Sequence, residues 1–142
     1  MAFVLDPQAA FGDRAARRLA ADKLAWLVTV SPNGTPQPTR VWFLFEPDPA
    51  SFLLYSRPDT PKLRNIAANP SAALHLDGDD QGGSVVIVTA AAAISDDPPA
   101  NEVAAYAAKY QALIAKNGWT AASFAADYSV PIRLSPRTLR GW

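Results

Sequence analysis

Trp26-Leu27-Val28-Thr29-Val30-Ser31-Pro32-Asn33-Gly34-Thr35-Pro36-Gln37 reads as a strand, a tight turn and the start of a second strand. The residues before the turn are aliphatic, aromatic or β-branched, which suits a pleated surface. Asn33-Gly34 tolerates the positive φ angles that a hairpin requires. Trp26, Leu27, Val28 and Val30 leave the first strand without a polar face, so something must cover both sides of it. In a chain of 142 residues a second subunit can be that layer.

Outward from the hairpin, the pattern predicts strands over residues 25–31, 37–46, 51–56, 71–76, 84–95 and 130–140. In the second of these, Val41, Phe43 and Phe45 alternate with Arg40, Trp42 and Leu44. Pro131 and Pro136 mark the last strand as an edge or bulged one. A helix is expected over residues 10–23. Its Phe11, Ala15 and Leu19 face the core, and Arg14, Arg17, Arg18 and Asp22 face away. Thr60 and Pro61 open a short helix that buries Leu63, Ile66 and Ala67. A longer helix runs from Asp97-Pro98-Pro99 to Lys116, with Val103, Tyr106, Tyr110, Leu113 and Ile114 on one side and Asn117-Gly118 at its end. Residues 120–127 form a last short helix. Strands in a meander with short helices between them predict a mainly β, α+β chain whose sheet is an antiparallel barrel.

Composition bounds the function. Thirteen basic and thirteen acidic side chains give no net charge, which argues against a broad nucleic-acid surface. With no cysteine and one histidine, His75, neither thiolate chemistry nor a His-rich metal site is available within one chain. Asp77, Asp79 and Asp80 lack the glutamate that would complete a calcium loop. The longest apolar run, residues 85–94, is too short to span a membrane. The expected compartment is the cytoplasm.

Against that neutral background one segment stands out: Ser56-Arg57-Pro58-Asp59-Thr60-Pro61-Lys62-Leu63-Arg64-Asn65 places three cations around a helix N-terminus. Cations are disfavoured there unless an anion joins them, and phosphate is the usual one. A solvated basic turn is the alternative. Lys62 and Arg64 lie about 200° apart around a helix, so they do not share one phosphate.

These stretches together resemble the pyridoxamine-phosphate-oxidase-like, split β-barrel flavoprotein family. The hairpin at residues 26–37 looks like that family's opening hairpin, and Arg40-Val41-Trp42-Phe43 is similar to the strand that follows it. Residues 56–65 with Ala67-Ala68-Asn69-Pro70 resemble its phosphate-binding strand, turn and helix, and Arg140-Gly141-Trp142 matches one branch. The resemblance implies a six-stranded antiparallel split barrel in a single domain over residues 1–142. It also implies a homodimer with cofactor sites at the subunit interface.

The branch most resembled uses the deazaflavin coenzyme F-420, with FMN as the alternative. The implied chemistry is hydride exchange between F-420 and an unidentified small organic substrate. Other readings are an FMN-dependent oxidase of the pyridoxamine-phosphate type and a non-catalytic carrier of flavin or F-420. By the resemblance, Lys62 and Arg57 hold the cofactor phosphate, with Arg64 and Asn65 in support and a hydrogen bond from Ser56. Arg40, Val41, Trp42, Phe43 and Tyr55 lie along the ring or its polar edge. Many members carry a basic residue where this chain has Pro61. No residue is singled out as catalytic; a proton comes from solvent or from a tyrosine such as Tyr55. Trp142 packs on the barrel or the partner, or else lines the neighbouring subunit's pocket.

Overall fold

The computed structural model describes residues 2–142. In chain order the elements are α1 (Ala10–Ala21), β1 (Ala25–Val30), β2 (Pro36–Val41), β3 (Leu44–Pro47), β4 (Ala50–Ser56), α2 (Pro61–Ala68), β5 (Ser71–His75) and β6 (Val86–Ile94). There follow a 3-10 turn (Ala100–Glu102), α3 (Ala104–Lys116), α4 (Ala121–Asp127) and β7 (Val130–Gly141). The fold is mixed α+β, dominated by one antiparallel sheet in the order β2-β1-β5-β6-β7-β4-β3.

The hairpin forms as its sequence demands. Gly34 sits at φ 85°, and Leu27 pairs with Thr39 across the ladder. The second expected strand, however, is two. It breaks at Trp42-Phe43, and its halves lie at opposite ends of the sheet. The sheet therefore has seven strands rather than six. Three Cα steps separate Val41 from Leu44, so the two edges approach within about 11 Å there. This rolls the sheet, yet no ladder joins β2 to β3 among the described residues, and the six-stranded closed barrel is not formed.

The break serves two cores. Phe43 is fully buried inside the rolled sheet with Leu27, Phe52, Val88 and Ile132. Trp42 turns outward into a second cluster that α3 and α4 build over β3 and β4, around Tyr55, Tyr106, Tyr110 and Phe124. β4 is buried on both faces as a result: Phe52 and Leu54 point to the first core, Leu53 and Tyr55 to the second. β1 has no such cover within the chain. Ala25, Leu27 and Thr29 are buried, and Trp26, Val28 and Val30 stay half-buried on the outer face beside His75 and Ala73 of β5.

Of the two readings of the proline-bearing last strand, β7 takes the bulged one: it lies between β6 and β4, and its bulge, a register shift opposite Thr89/Ala90, falls next to Pro136, where a missing N–H is tolerated. Two further expectations are corrected. The helix expected from Asp97 divides into the 3-10 turn and α3 at Val103, whose φ −97°, ψ 100° is extended. Arg18 does not face solvent. Its guanidinium donates to the Ser84 carbonyl (2.5 Å) and the Asp77 carbonyl (2.6 Å), anchoring the loop between β5 and β6 to α1.

At the chain end, the backbone of Trp142 pairs with Val85. Gly141 permits this approach, because a Cβ there would stand 1.9 Å from the Val85 carbonyl oxygen. The indole of Trp142 remains 60% exposed and donates to the Gly82 carbonyl at 2.8 Å. It does not pack into the barrel.

Candidate functional site

The turn after β4 is closed by its own side chains. Ser56 is fully buried, and its hydroxyl pairs with the Thr60 hydroxyl at 3.0 Å and donates to the Arg57 carbonyl. Thr60 thus occupies the N-cap position of α2 without capping it through its side chain. Asp59 takes φ 61°, a left-handed conformation that aspartate adopts more readily than most residues. Its carbonyl accepts from Arg64 at 2.8 Å, which draws Arg64 back along the exposed side of the helix. The helical offset read from the sequence holds: Lys62 and Asn65 share the inner face of α2, and Arg64 points away.

Lys62 stands where two cavities meet. One, of about 310 Å³, lies under α3 and α4 and is walled by Trp42, Tyr55, Trp119, Phe124 and Tyr128, with Arg40 at its margin. The other, of about 410 Å³, lies between the β1–β2 hairpin and α2, against Thr29, Gln37 and Asn65. Burial pushes the Lys62 ammonium below the usual lysine range, and no charged neighbour offsets that shift. No carboxylate bridges to it among the described residues. A half-buried cation at the start of a helix, without a protein counter-charge, is a site prepared for an anion.

The other cations are engaged. One Arg40 guanidinium nitrogen lies 3.0 Å and 2.9 Å from the two carboxylate oxygens of Asp77, and the group rests over Trp26 at 5.1 Å. The Arg40 hydrogen bond holds the Asp77 carboxyl below the ordinary range. The Arg40 guanidinium is thus held over Trp26, its cross-strand neighbour. Arg57 is exposed and lies 5.0 Å over the ring of Tyr128, at the outer rim of the aromatic cavity.

Of the residues singled out in the sequence, Arg40, Val41, Trp42, Tyr55 and Lys62 gather around the first cavity, and Lys62 and Asn65 around the second. Phe43, Ser56, Arg57 and Arg64 line neither. Asn65 is 4% exposed and works as a fastener: its amide donates to Thr29 Oγ1 (3.0 Å) and Gln37 Oε1 (2.7 Å), tying α2 to the hairpin. The Trp42 indole stacks on Tyr110 (4.6 Å, 1°) and Phe124 (5.1 Å, 17°). Its ring is thereby fixed as a wall. The Tyr55 hydroxyl donates to the Pro98 carbonyl at 2.5 Å, and burial pushes its pKa up to about 12. Its proton is already committed within the protein.

A large part of the cavity wall, Tyr106, Asn117, Trp119, Phe124 and Tyr128, comes from the segment after β6. Of these aromatics only Tyr106 is placed by the sequence, on the buried side of the long helix. The 124/128 spacing of four does mark one helical face, and the two rings stack at 4.7 Å. Nothing in that spacing told whether the face met a core or a cavity.

An apolar, aromatic cavity beside an unpartnered ammonium can hold a planar ring system carrying a phosphate, with water largely excluded from the ring. The donor set fits a flavin-type cofactor: the cation for its phosphate and aromatic walls for its ring.

Comparison with known proteins follows the same line. No curated protein matches the sequence. Solved structures share the fold. An F420 reductase is 25% identical, with 87% of this chain and 94% of that one aligned at TM-score 0.61. The conserved hypothetical protein Rv2991 from Mycobacterium tuberculosis is 19% identical over 92% of this chain and 82% of its own, at 0.69. HutZ, the heme storage protein from Vibrio cholerae, is 16% identical over 96% and 94%, at 0.61. The family model for pyridoxamine 5'-phosphate oxidase matches residues 11–142, and with that span matched the chain belongs to the pyridoxamine 5'-phosphate oxidase family.

Proposed function

We propose that this chain is an oxidoreductase that binds coenzyme F-420 and exchanges a hydride between it and a small organic substrate. The observation that carries the reading is Lys62, a half-buried ammonium at a helix start with no internal counter-charge, placed between an aromatic cavity and a polar one. The F420 reductase that shares the fold at 25% identity favours the deazaflavin over FMN.

When bound, the deazaflavin supplies the hydride chemistry. The protein's part is to bind, orient and dry the site. Lys62 would pair with the phosphate, with Arg57, exposed at the rim over Tyr128, as the second cation for it. Asn65 keeps α2 against the hairpin, so the ammonium is held at a fixed place relative to β2. Arg40 and Val41 would be available to the ring from the cavity margin, and Trp42, braced by Tyr110 and Phe124, would help keep water from it. Tyr55 is retained as a wall rather than a proton source, since its hydroxyl is bound to Pro98. The substrate proton then comes from solvent or another hydroxyl.

The reading extends to a single-domain homodimer working in the cytoplasm, with a second copy covering the outer face at Trp26, Val28 and Val30 and completing the cofactor site. The half-buried, apolar character of those three residues supports it. The test is a calorimetric titration of the purified protein with F-420 and with FMN, alongside its mass in solution. Saturable binding of F-420 with weak or absent FMN binding, by a dimer, is the expected result. Preference for FMN reassigns the cofactor, and binding of neither overturns the proposal.

A further inference from the structure

Lys109, on α3, is a second half-buried ammonium without a counter-charge, and it lines neither cavity. Its Nζ donates to the Phe43 carbonyl at 2.7 Å and lies 3.9 Å from the centre of the Phe43 ring. No carboxylate bridges to it among the described residues. Asp22 is the one carboxylate close enough to act on it, and Arg18 holds that group at 2.5 Å. The other charged neighbour is a cation. Lys23, exposed just past the end of α1, donates to the Lys109 carbonyl at 2.5 Å. Its ammonium stands 5.8 Å from the centre of the Tyr110 ring, and that of Lys109 stands 5.4 Å from it. Trp42 covers one face of that ring, so the two ammonium groups share the side left open.

Two like charges beside one ring, one of them half removed from water, favour the neutral amine. Burial, with Lys23 adding repulsion, accordingly lowers the Lys109 pKa to about 8, and Asp22 opposes this as the smallest of the three influences. At about pH 7.5 roughly a quarter of such amines are neutral, against about a thousandth for an ordinary lysine. A neutral amine is a nucleophile, and this one is held in place. One N–H goes to the Phe43 carbonyl, which leaves the lone pair free for an electrophile. The electrophile must be small, because the group is half-buried. Its product is best an anion, because Lys23 stands beside it to pair with one. Carbon dioxide meets both conditions.

We propose that Lys109 is a site of reversible carbamate formation with carbon dioxide, and that Lys23 is the cation that pairs with the carbamate. The Nζ lone pair attacks the carbon of carbon dioxide. An N–C bond forms, one C–O π bond opens to the oxyanion, and a proton leaves Nζ for solvent. The remaining N–H keeps its bond to the Phe43 carbonyl, so the crossing stays fastened. The side chain passes from a positive to a negative charge, and repulsion by Lys23 becomes attraction. Lys62 is half-buried as well, but no charged neighbour adjoins it to receive such an anion. The site is independent of the cofactor reading above.

Trapping the adduct tests this. The full chain is equilibrated with carbon dioxide at about pH 7.5 and treated with trimethyloxonium, which converts a carbamate to a stable methyl carbamate. Peptide mass mapping then locates the label, with a carbon-dioxide-free sample as the blank. The internal comparison is Lys116, an exposed lysine of the same helix, so it needs no variant to fold. Lys109 is expected to carry roughly tenfold more label than Lys116, or better, as its larger neutral fraction requires. Lys23→Met should lower the label at Lys109 by roughly threefold or more and leave that at Lys116 unchanged. Lys109→Arg, which keeps the charge and a donor for Phe43, should remove it. No label at Lys109, label there no greater than at Lys116, label that persists in the blank, or undiminished label in Lys23→Met each overturns the proposal.

Discussion

Tyr110 brackets the backbone of Phe43. The Phe43 N–H donates to the Tyr110 hydroxyl at 2.7 Å, and that hydroxyl lies 2.9 Å from the Phe43 carbonyl and 2.7 Å from that of Lys23. The Lys109 ammonium donates to the same Phe43 carbonyl at 2.7 Å. Phe43 belongs to the two-residue crossing between opposite sheet edges, where no neighbouring strand can take its polar groups. A helix outside the sheet takes them instead, which fixes the crossing and sets Trp42 against the cavity.

Tyr110→Phe therefore has a defined cost. The Phe43 carbonyl keeps Lys109, whereas its buried N–H loses its only partner. The expected loss is about 1–3 kcal/mol of unfolding free energy, measured by urea titration, with the far-ultraviolet circular dichroism unchanged. A loss near zero means that the crossing is held by packing alone.

The same bracket governs alkaline stability. Burial, with Lys23 adding like-charge repulsion, lowers the Lys109 pKa to about 8, below its unfolded value near 10.4. Between those values the unfolded chain binds the extra proton, so stability rises with pH. Above about pH 10 the sign reverses. Tyr55, Tyr106 and Tyr110 all have raised pKa values and hold their protons in the fold while the unfolded chain releases them. Urea midpoints taken from pH 7 to 11 are expected to pass through a maximum between the two regimes. Lys109→Met flattens the rising limb and leaves the falling one.

A different pair sets the acid limb. Arg133 Nε and Nη2 meet the two oxygens of Asp97 at 2.9 and 2.7 Å, and the Ser95 hydroxyl adds a third bond. Led by the Arg133 hydrogen bond, these contacts hold the Asp97 carboxyl below the ordinary range. Its contribution is complete above the unfolded value near 3.9 and disappears as pH falls through the lower folded one. Asp97→Asn is expected to cost about 1–2 kcal/mol at neutral pH and to make acid unfolding less steep. The adjoining Pro98 carbonyl holds Tyr55, so the variant should also loosen that wall of the cavity, read as faster quenching of tyrosine and tryptophan emission by acrylamide.

How far the sequence reached follows from the forces at each place. The hairpin at Asn33-Gly34, the inner face of α1 and the Lys62/Arg64 divide rest on local periodicity and turn chemistry, and those survive into the fold. The break at Trp42-Phe43 was invisible because alternation runs straight through it: Val41, Phe43 and Phe45 are all buried on schedule. What breaks the strand is distant, the stacking of Trp42 on Tyr110 and Phe124 and the capture of Phe43 by Tyr110. The prolines of β7 left an edge strand and a bulged strand both open, and the pairing of β6 and β4 on either side, which no local signal carries, decides for the bulge beside Pro136. The aromatic wall of the cavity was not legible, because Trp119, Phe124 and Tyr128 come together with Trp42 and Tyr55 only in the tertiary packing of α3 and α4 over β3 and β4.

Lys62 separates binding from stability more sharply than any other residue of the site. In the ligand-free protein its charge is half removed from water with no partner, which is unfavourable, and the lowered pKa records that cost. Lys62→Met keeps the length and apolar stem while removing the charge. Unfolding free energy of the ligand-free variant is therefore expected to be unchanged or higher by up to about 1 kcal/mol, and the protein's mass in solution should not change. Affinity for F-420 should move the other way, falling by about 1.5–3 kcal/mol, or roughly 10- to 150-fold, the worth of a charge-assisted hydrogen bond to phosphate. A variant that loses stability and affinity together places Lys62 in the framework instead. A variant that loses neither removes it from the site, and with it the observation on which the cofactor assignment stands.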